Sequence, residues 1–91
     1  MNKSELIQAV ADKVDGSKSE VATTVEAVLD TITESVQRGE KVALTGFGTF
    51  ERRERASRTG RNPQTGAEIK VPASKAPAFK PGKAFKDAVD Q

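Results

Sequence analysis

Apolar side chains recur at helical spacing over two stretches before the pattern changes. Leu6, Ile7, Val10, Ala11 and Val14 form the first stripe, and Asn2 with Glu5 has the spacing of a helix N-terminal cap. This predicts a helix from about Lys3 to Val14, stopped by the pair Asp15-Gly16. Ser17 with Glu20 is a full capping box, and Val21, Val25, Val28, Leu29, Ile32 and Val36 then line one face of a longer helix. Arg38 suits the negative end of that helix, and Gly39 supplies a left-handed cap. Both stripes are patterns of core packing.

Beyond Gly39 the period falls to two. Val42 and Leu44 alternate, "TGFG" makes a tight corner, and Thr49 and Phe50 open a second strand, which together predict a hairpin. Gly46 and Gly48 lack the third glycine and the following helix that a phosphate-binding loop requires, so backbone tightness accounts for them. The second strand continues as "ERRERASRTGRN", where apolar side chains disappear but extended-compatible residues remain. After the turn "NPQTG" the chain returns through Ile69 and Val71 to Pro72, predicting one long hairpin from Arg53 to Ala76 that projects from the body. A ten-residue leg of such a hairpin reaches about 33 Å, comparable to one turn of duplex. The segment "APAFKPGKAFKDAVDQ" then predicts a strand ending near Lys80, a Pro-Gly break, and a short helix carrying Phe85, Ala88 and Val89. The plan is a single domain: a helical hairpin over 1–40, a body hairpin over 41–52, an arm over 53–76, and a return strand and helix over 77–91.

Composition narrows what such a chain does. With 91 residues, 35% of them hydrophobic and four of them aromatic, one small core is the most that can form, and stability is marginal unless chains associate. Phe47, Phe50, Phe79 and Phe85 are expected to pack partly across such a dimer. The absence of cysteine and histidine removes disulfides, thiol nucleophiles, the usual zinc sites and the commonest general base. The acid pairs Asp12/Asp15 and Asp87/Asp90 belong to helix surfaces, and Glu51/Glu54 are interleaved with arginines that pair with them. No enzyme activity, metal, cofactor or small-molecule substrate is expected. Lys3, Glu5, Asp12 and Lys13 fall where a signal peptide would be apolar, and the longest charge-free run, Val42 to Phe50, is nine residues, so neither export by that route nor a membrane span is expected.

Charge is distributed unevenly. The net charge of +2 conceals a first part, 1–40, with four basic and eight acidic residues and a second, 41–91, with eleven and five. From Arg52 to Lys86 ten Lys or Arg face two acids, Glu54 and Glu68, and the natural partner of that field is a polyanion. Solvation alone is served equally by mixed signs and does not favour arginine, whereas Arg52, Arg53, Arg55, Arg58 and Arg61, with Lys70 and Lys75, suit forked contacts to phosphates and groove acceptors. Lys80, Lys83 and Lys86 are spaced three apart, the latter two on one helix face, which suits either an extension of the same positive surface or the solubility of the terminal helix. Pro63 at the hairpin tip taken alone is an ordinary turn residue, but its place between basic legs permits a second use, as an apolar wedge that enters between base steps, with Asn62 beside it able to hydrogen-bond base edges.

The segments "MNKSELIQAVA", "GFGTF", "RTGRNPQTG" and "PAFKPGKAFKDAV" together resemble the bacterial HU proteins, relatives of integration host factor, over essentially the whole chain. The resemblance implies an α+β fold and an entwined dimer: an N-terminal helical hairpin, a three-stranded antiparallel sheet extended into a long β-ribbon arm, and a short C-terminal helix. It implies Arg53, Arg55, Arg58, Arg61 and Lys70 along the arm, Asn62 and Pro63 at its tip, and Lys3, Lys75, Lys80, Lys83 and Lys86 as contacts from the body. The function implied is architectural: binding double-stranded DNA in the bacterial nucleoid with little sequence preference, bending it, and favouring flexible or distorted duplex. A homodimer is expected, and a mixed dimer with a paralogue is compatible with it. Arg52 stands where such sequences more often carry an apolar residue, which adds charge at the base of the arm. No lysine-rich tail follows Gln91, so the grip is expected from arms and sheet alone. The rival readings are a sequence-preferring subunit like those of integration host factor, an RNA-binding or ribosome-associated protein, and an arm that augments a partner's sheet.

Overall fold

A computed structural model describes residues 1–91. It contains α1 (Lys3–Val14), α2 (Lys18–Gln37), β1 (Val42–Leu44), β2 (Gly48–Arg55), β3 (Arg58–Arg61), β4 (Glu68–Val71), β5 (Ser74–Pro81) and α3 (Lys83–Val89). The chain divides into two compact units, Met1–Glu34 and Ser35–Gln91. No helix is long and apolar enough to cross a membrane.

In the first unit both predicted helix starts are closed by the side chains that predict them. The Glu5 N–H donates to Asn2 Oδ1 at 2.9 Å, and the Glu20 N–H donates to Ser17 Oγ at 3.2 Å. Ile7, Ala11 and Val21 are buried, with Val10, Ala22 and Val25 packed against them. α1 stops at Val14, where the pair Asp15-Gly16 is expected to end it. Asp15, not Gly16, adopts the left-handed conformation (φ 53, ψ 41), and its N–H caps the Ala11 carbonyl.

The second unit takes its organisation from two separate ladders. β1, β2 and β5 form a three-stranded antiparallel sheet in that order, and β3 and β4 form a two-stranded one. The predicted hairpin is therefore not one continuous ribbon. β2 pairs with β5 from Gly48↔Pro81 to Arg55↔Ser74, pairing stops, and it resumes from Arg58↔Val71 to Arg61↔Glu68. The interruption falls at Ala56-Ser57 on one leg and at Pro72-Ala73 on the other. Pro72 has no N–H to contribute to a ladder, which accounts for the gap on its side.

The four phenylalanines pack on one another within this unit. Phe47 lies 5.3 Å from Phe79 and 4.8 Å from Phe85, and Phe50 lies 4.7 Å from Phe79, measured between ring centroids. The packing leaves no room beside Gly48, where a Cβ would stand 2.5 Å from the Phe79 ring and 2.6 Å from the Lys80 carbonyl oxygen. Yet Phe47 and Phe79 remain 43% and 36% exposed, and no side chain of the whole chain is fully buried. The N–H of Gly82 donates to the Phe47 carbonyl at 2.8 Å and fixes the start of α3 beside the β1–β2 turn.

Asp15 offers a test of the local physics. A left-handed backbone costs a side-chain-bearing residue about 1–2 kcal/mol, while glycine's extra freedom in the unfolded chain costs about 0.5–1 kcal/mol. Asp15→Gly is therefore expected to stabilise the protein by about 0.5–1 kcal/mol, read as a higher denaturant midpoint at fixed protein concentration. A lower midpoint would show that the aspartate is held by more than its backbone conformation.

Candidate nucleic-acid interface

Side chains alternate across a strand, so the β2 register sorts its charges onto two faces. Thr49, Glu51, Arg53 and Arg55 share one face with Ser74, Ala76, Ala78 and Lys80 of β5. Gly48, Phe50, Arg52 and Glu54 share the other with Lys75, Pro77, Phe79 and Pro81, and Val42 and Leu44 of β1 join them there. One strand thus presents a basic face and an apolar one.

Glu51 organises the basic face. Its carboxylate is only 10% exposed and is ringed by Lys80 Nζ at 3.0 Å, Lys41 Nζ at 3.7 Å and Arg53 Nε at 3.9 Å. These three cations keep 60%, 72% and 57% of their side-chain surface open, so each has a free side to offer a second anion. The hydrogen bond from Lys80 holds the Glu51 carboxyl below the usual carboxylate range, with further help from the charges of Lys80, Lys41 and Arg53 and against the cost of burial. One carboxylate beneath three cations leaves the cluster strongly positive.

Farther out, Arg55 ends β2 exposed and Arg58 opens β3, and the two line a hollow with Ala56, Val71, Pro72 and Ser74 where the ladder is interrupted. In the distal hairpin Thr59 and Arg61 share a face with Lys70 and Glu68, while Arg58 and Gly60 share the other with Val71 and Ile69. The tip is a closed turn. The Gln64 N–H donates to Asn62 Oδ1 at 2.9 Å, the Gly66 N–H donates to the Asn62 carbonyl at 2.7 Å, and the Asn62 N–H donates to the Ala67 carbonyl at 2.8 Å. Asn62 therefore uses its side-chain oxygen to build the turn, and Pro63, next in the chain, stands exposed at its outside.

The remaining candidates belong to other elements or to the other face of the sheet. Lys75 is opposite Glu54 on the apolar face of the sheet. Lys83 pairs with Asp87 one helical turn on at 2.7 Å while staying 89% exposed, and Lys86 is exposed on the same short helix. Lys3 belongs to the first compact unit, where it pairs with Glu26 of α2, and that hydrogen bond raises its pKa.

Comparison with known proteins gives the family. The family model described as bacterial DNA-binding protein matches residues 1–90. The DNA-binding protein HU of Geobacillus stearothermophilus is 63% identical over 89 residues, which cover 98% of this chain and 99% of that protein. The chain belongs to the HU family of bacterial DNA-binding proteins. The SPbeta prophage-derived DNA-binding protein HU 2 of Bacillus subtilis is 66% identical over 89 residues, with 98% and 97% of the two chains covered. Among solved structures, Anabaena HU in a cocrystal with DNA matches with a TM-score of 0.89 at 48% identity, over 98% of this chain and 97% of that one. HU from Thermotoga maritima matches with a TM-score of 0.69 at 38% identity, over 98% of each chain.

Within this HU fold, Lys41 joins the basic face without having been singled out from the sequence, and Glu51 has a larger role there than the sequence gives it. Lys41 carried a usable signal: it directly precedes Val42, so period-two alternation puts it on the face opposite the apolar one. Glu51 was legible as a partner of arginines but not as the hub of Lys41 and Lys80, because strand register decides that.

The hub makes a pH-dependent contribution with a definite sign. A carboxyl whose folded pKa is lowered stabilises the protein fully above its unfolded value of about 4.3, and that share is lost as pH falls through the folded value. Glu51→Gln is expected to be less stable than the parent near neutrality, and the difference should shrink below about pH 4. Urea midpoints from pH 7 to pH 3 at one protein concentration measure it; a difference that stays constant down to pH 3 would contradict the ion-pair account.

Proposed function

We propose that the chain acts as a homodimer that holds double-stranded DNA, bends it, and does so with little preference for sequence. The observation that carries this reading is the exposed basic face of Lys41, Arg53, Arg55 and Lys80, leading to a hairpin whose closed turn presents Pro63. The relatives named DNA-binding protein HU, and an HU cocrystallised with DNA, support the choice of duplex over other polyanions. On such a partner the lysines and arginines displace condensed counterions, a driving force indifferent to base sequence. Alternate residues of the distal hairpin reach groove walls from both of its faces, and Pro63 enters between base steps, the general mode of architectural minor-groove proteins, HU among them.

Asn62 supports the wedge: its side-chain oxygen accepts from the Gln64 N–H, which stiffens the turn, and stiffness is what a wedge requires. Its Nδ2 amide keeps both donors for a base edge. The reading contains no chemical step. Glu51, Glu54 and Asp87 are each engaged by a cation, and the chain acts by holding DNA, not by reacting with it. The bacterial nucleoid is where such a partner is met.

The test compares Pro63→Ala with the parent protein on a short end-labelled duplex, intact and nicked, with random-sequence competitor. The parent is expected to bend both DNAs and to lose only a few-fold in affinity between its best and random sites. The variant should keep the fold but bend intact duplex less, and should retain more affinity for nicked DNA, whose stack is already interrupted. Equal bending by both proteins would remove Pro63 from the mechanism. A large preference for one sequence would favour a subunit like those of integration host factor, and tighter binding to RNA duplex would overturn the DNA reading.

A further inference from the structure

Arg52 is the arginine of β2 that does not join the basic face. Its alternation places it with Phe50, while Arg53 and Arg55 occupy the opposite face. Its side chain is 25% exposed, against 57% for Arg53. Two of its donors are engaged within the fold: Nη1 donates to the Gln37 carbonyl at 3.0 Å and Nη2 donates to Glu54 Oε1 at 3.1 Å.

The Gln37 carbonyl needs that donor. At the end of α2 the Glu40 N–H donates to the Ser35 carbonyl and the Gly39 N–H to the Val36 carbonyl, both at 2.9 Å, with Gly39 at φ 87. This is the left-handed helix cap that satisfies two of the last carbonyls and leaves the next one, on Gln37, without a backbone partner. The guanidinium of Arg52 arrives there from 15 residues later, and its positive charge meets the negative end of the helix dipole. Gly39 makes room for it, since a Cβ at that position would lie 3.1 Å from Arg52 Nη2. The planar fork of arginine bridges a carbonyl and a carboxylate at once, which the single ammonium of lysine does not reproduce.

We infer that Arg52 is a positioning residue: by clamping β2 to the end of α2, it sets the direction in which the same strand carries Arg53 and Arg55. The inference rests on the DNA-bending reading above, and it separates Arg52 from the phosphate-binding arginines. Arg52 acts on the bend without touching DNA.

Three variants test this: Arg52→Met, which keeps length and removes the donors; Arg52→Lys, which keeps the charge; and Arg55→Ala as a control for a phosphate contact. Salt dependence of affinity and bend angle are read on one duplex. Arg55→Ala should flatten the salt slope by about 0.9 per lost phosphate contact, whereas Arg52→Met should leave the slope unchanged and reduce or broaden the bend. Arg52→Lys should recover only part of the bend, and it carries the test alone if Arg52→Met does not fold. A slope that flattens in Arg52→Met, or a full recovery with lysine, would make Arg52 a phosphate ligand or a general charge. An unchanged bend with an unchanged slope would also overturn the inference. One readout needs no DNA: in arginine-labelled free protein the guanidinium protons of Arg52 should exchange with water more slowly than those of Arg53. Slow exchange in a protein whose parent form does not bend DNA would sink the DNA reading and leave the clamp intact. Equal exchange at the two sites would sink the clamp.

Discussion

Ile7, Ala11 and Val21 are the buried apolar side chains of the chain, while Leu29, Leu44, Phe47 and Phe79 stand between 36% and 44% exposed and Val28 is half open. Covering a side chain of this size stabilises a fold by about 1.5–3 kcal/mol, so leaving several half covered forfeits what a domain of this length needs. Caps and ladders set the local conformation, but a protein this short with a core this thin depends on more apolar burial than one copy supplies. A second copy of the same chain presents the same apolar residues, and a two-fold arrangement lets each cover the other. The proposed homodimer is thus the constraint on which the division of the sheet into an apolar and a charged face depends.

In the dimer proposed above, association takes the apolar face of the sheet and leaves the opposite face free to be charged. The period of two does this sorting without any dedicated element: Phe50 and Arg53 are three residues apart on one strand and serve opposite purposes. A face of cations alone would repel itself, and Glu51 beneath Lys80, Lys41 and Arg53 moderates that repulsion while leaving each cation an open side. Farther along β3 and β4 no apolar body remains to pack against, so the hairpin is held by its own ladder and by the turn that Asn62 closes.

Much of this was legible in the sequence because it depends on neighbours. Asn2 with Glu5 and Ser17 with Glu20 act over three residues, and the structure makes those hydrogen bonds. The change from helical to alternating period after Gly39 likewise marks the start of the sheet within a few residues. What was not legible depends on distant partners. Arg52 read as extra charge at the base of the arm because the Gln37 carbonyl that it meets lies 15 residues earlier. The face of the sheet on which Lys75 stands was not legible either, because it follows from pairing with Glu54, which register alone determines. The break in the arm had a local sign in Pro72, but its partner break at Ala56-Ser57 contains nothing that forbids a strand.

The central claim is that the core is completed by a second chain, and the dependence of stability on protein concentration tests it most directly. Thermal unfolding is followed across a hundredfold range of concentration, beside sedimentation at each end. The account predicts the mass of two chains at micromolar concentration and a midpoint that rises with concentration, as mass action requires of folding coupled to association. A folded single chain with a midpoint independent of concentration would contradict it.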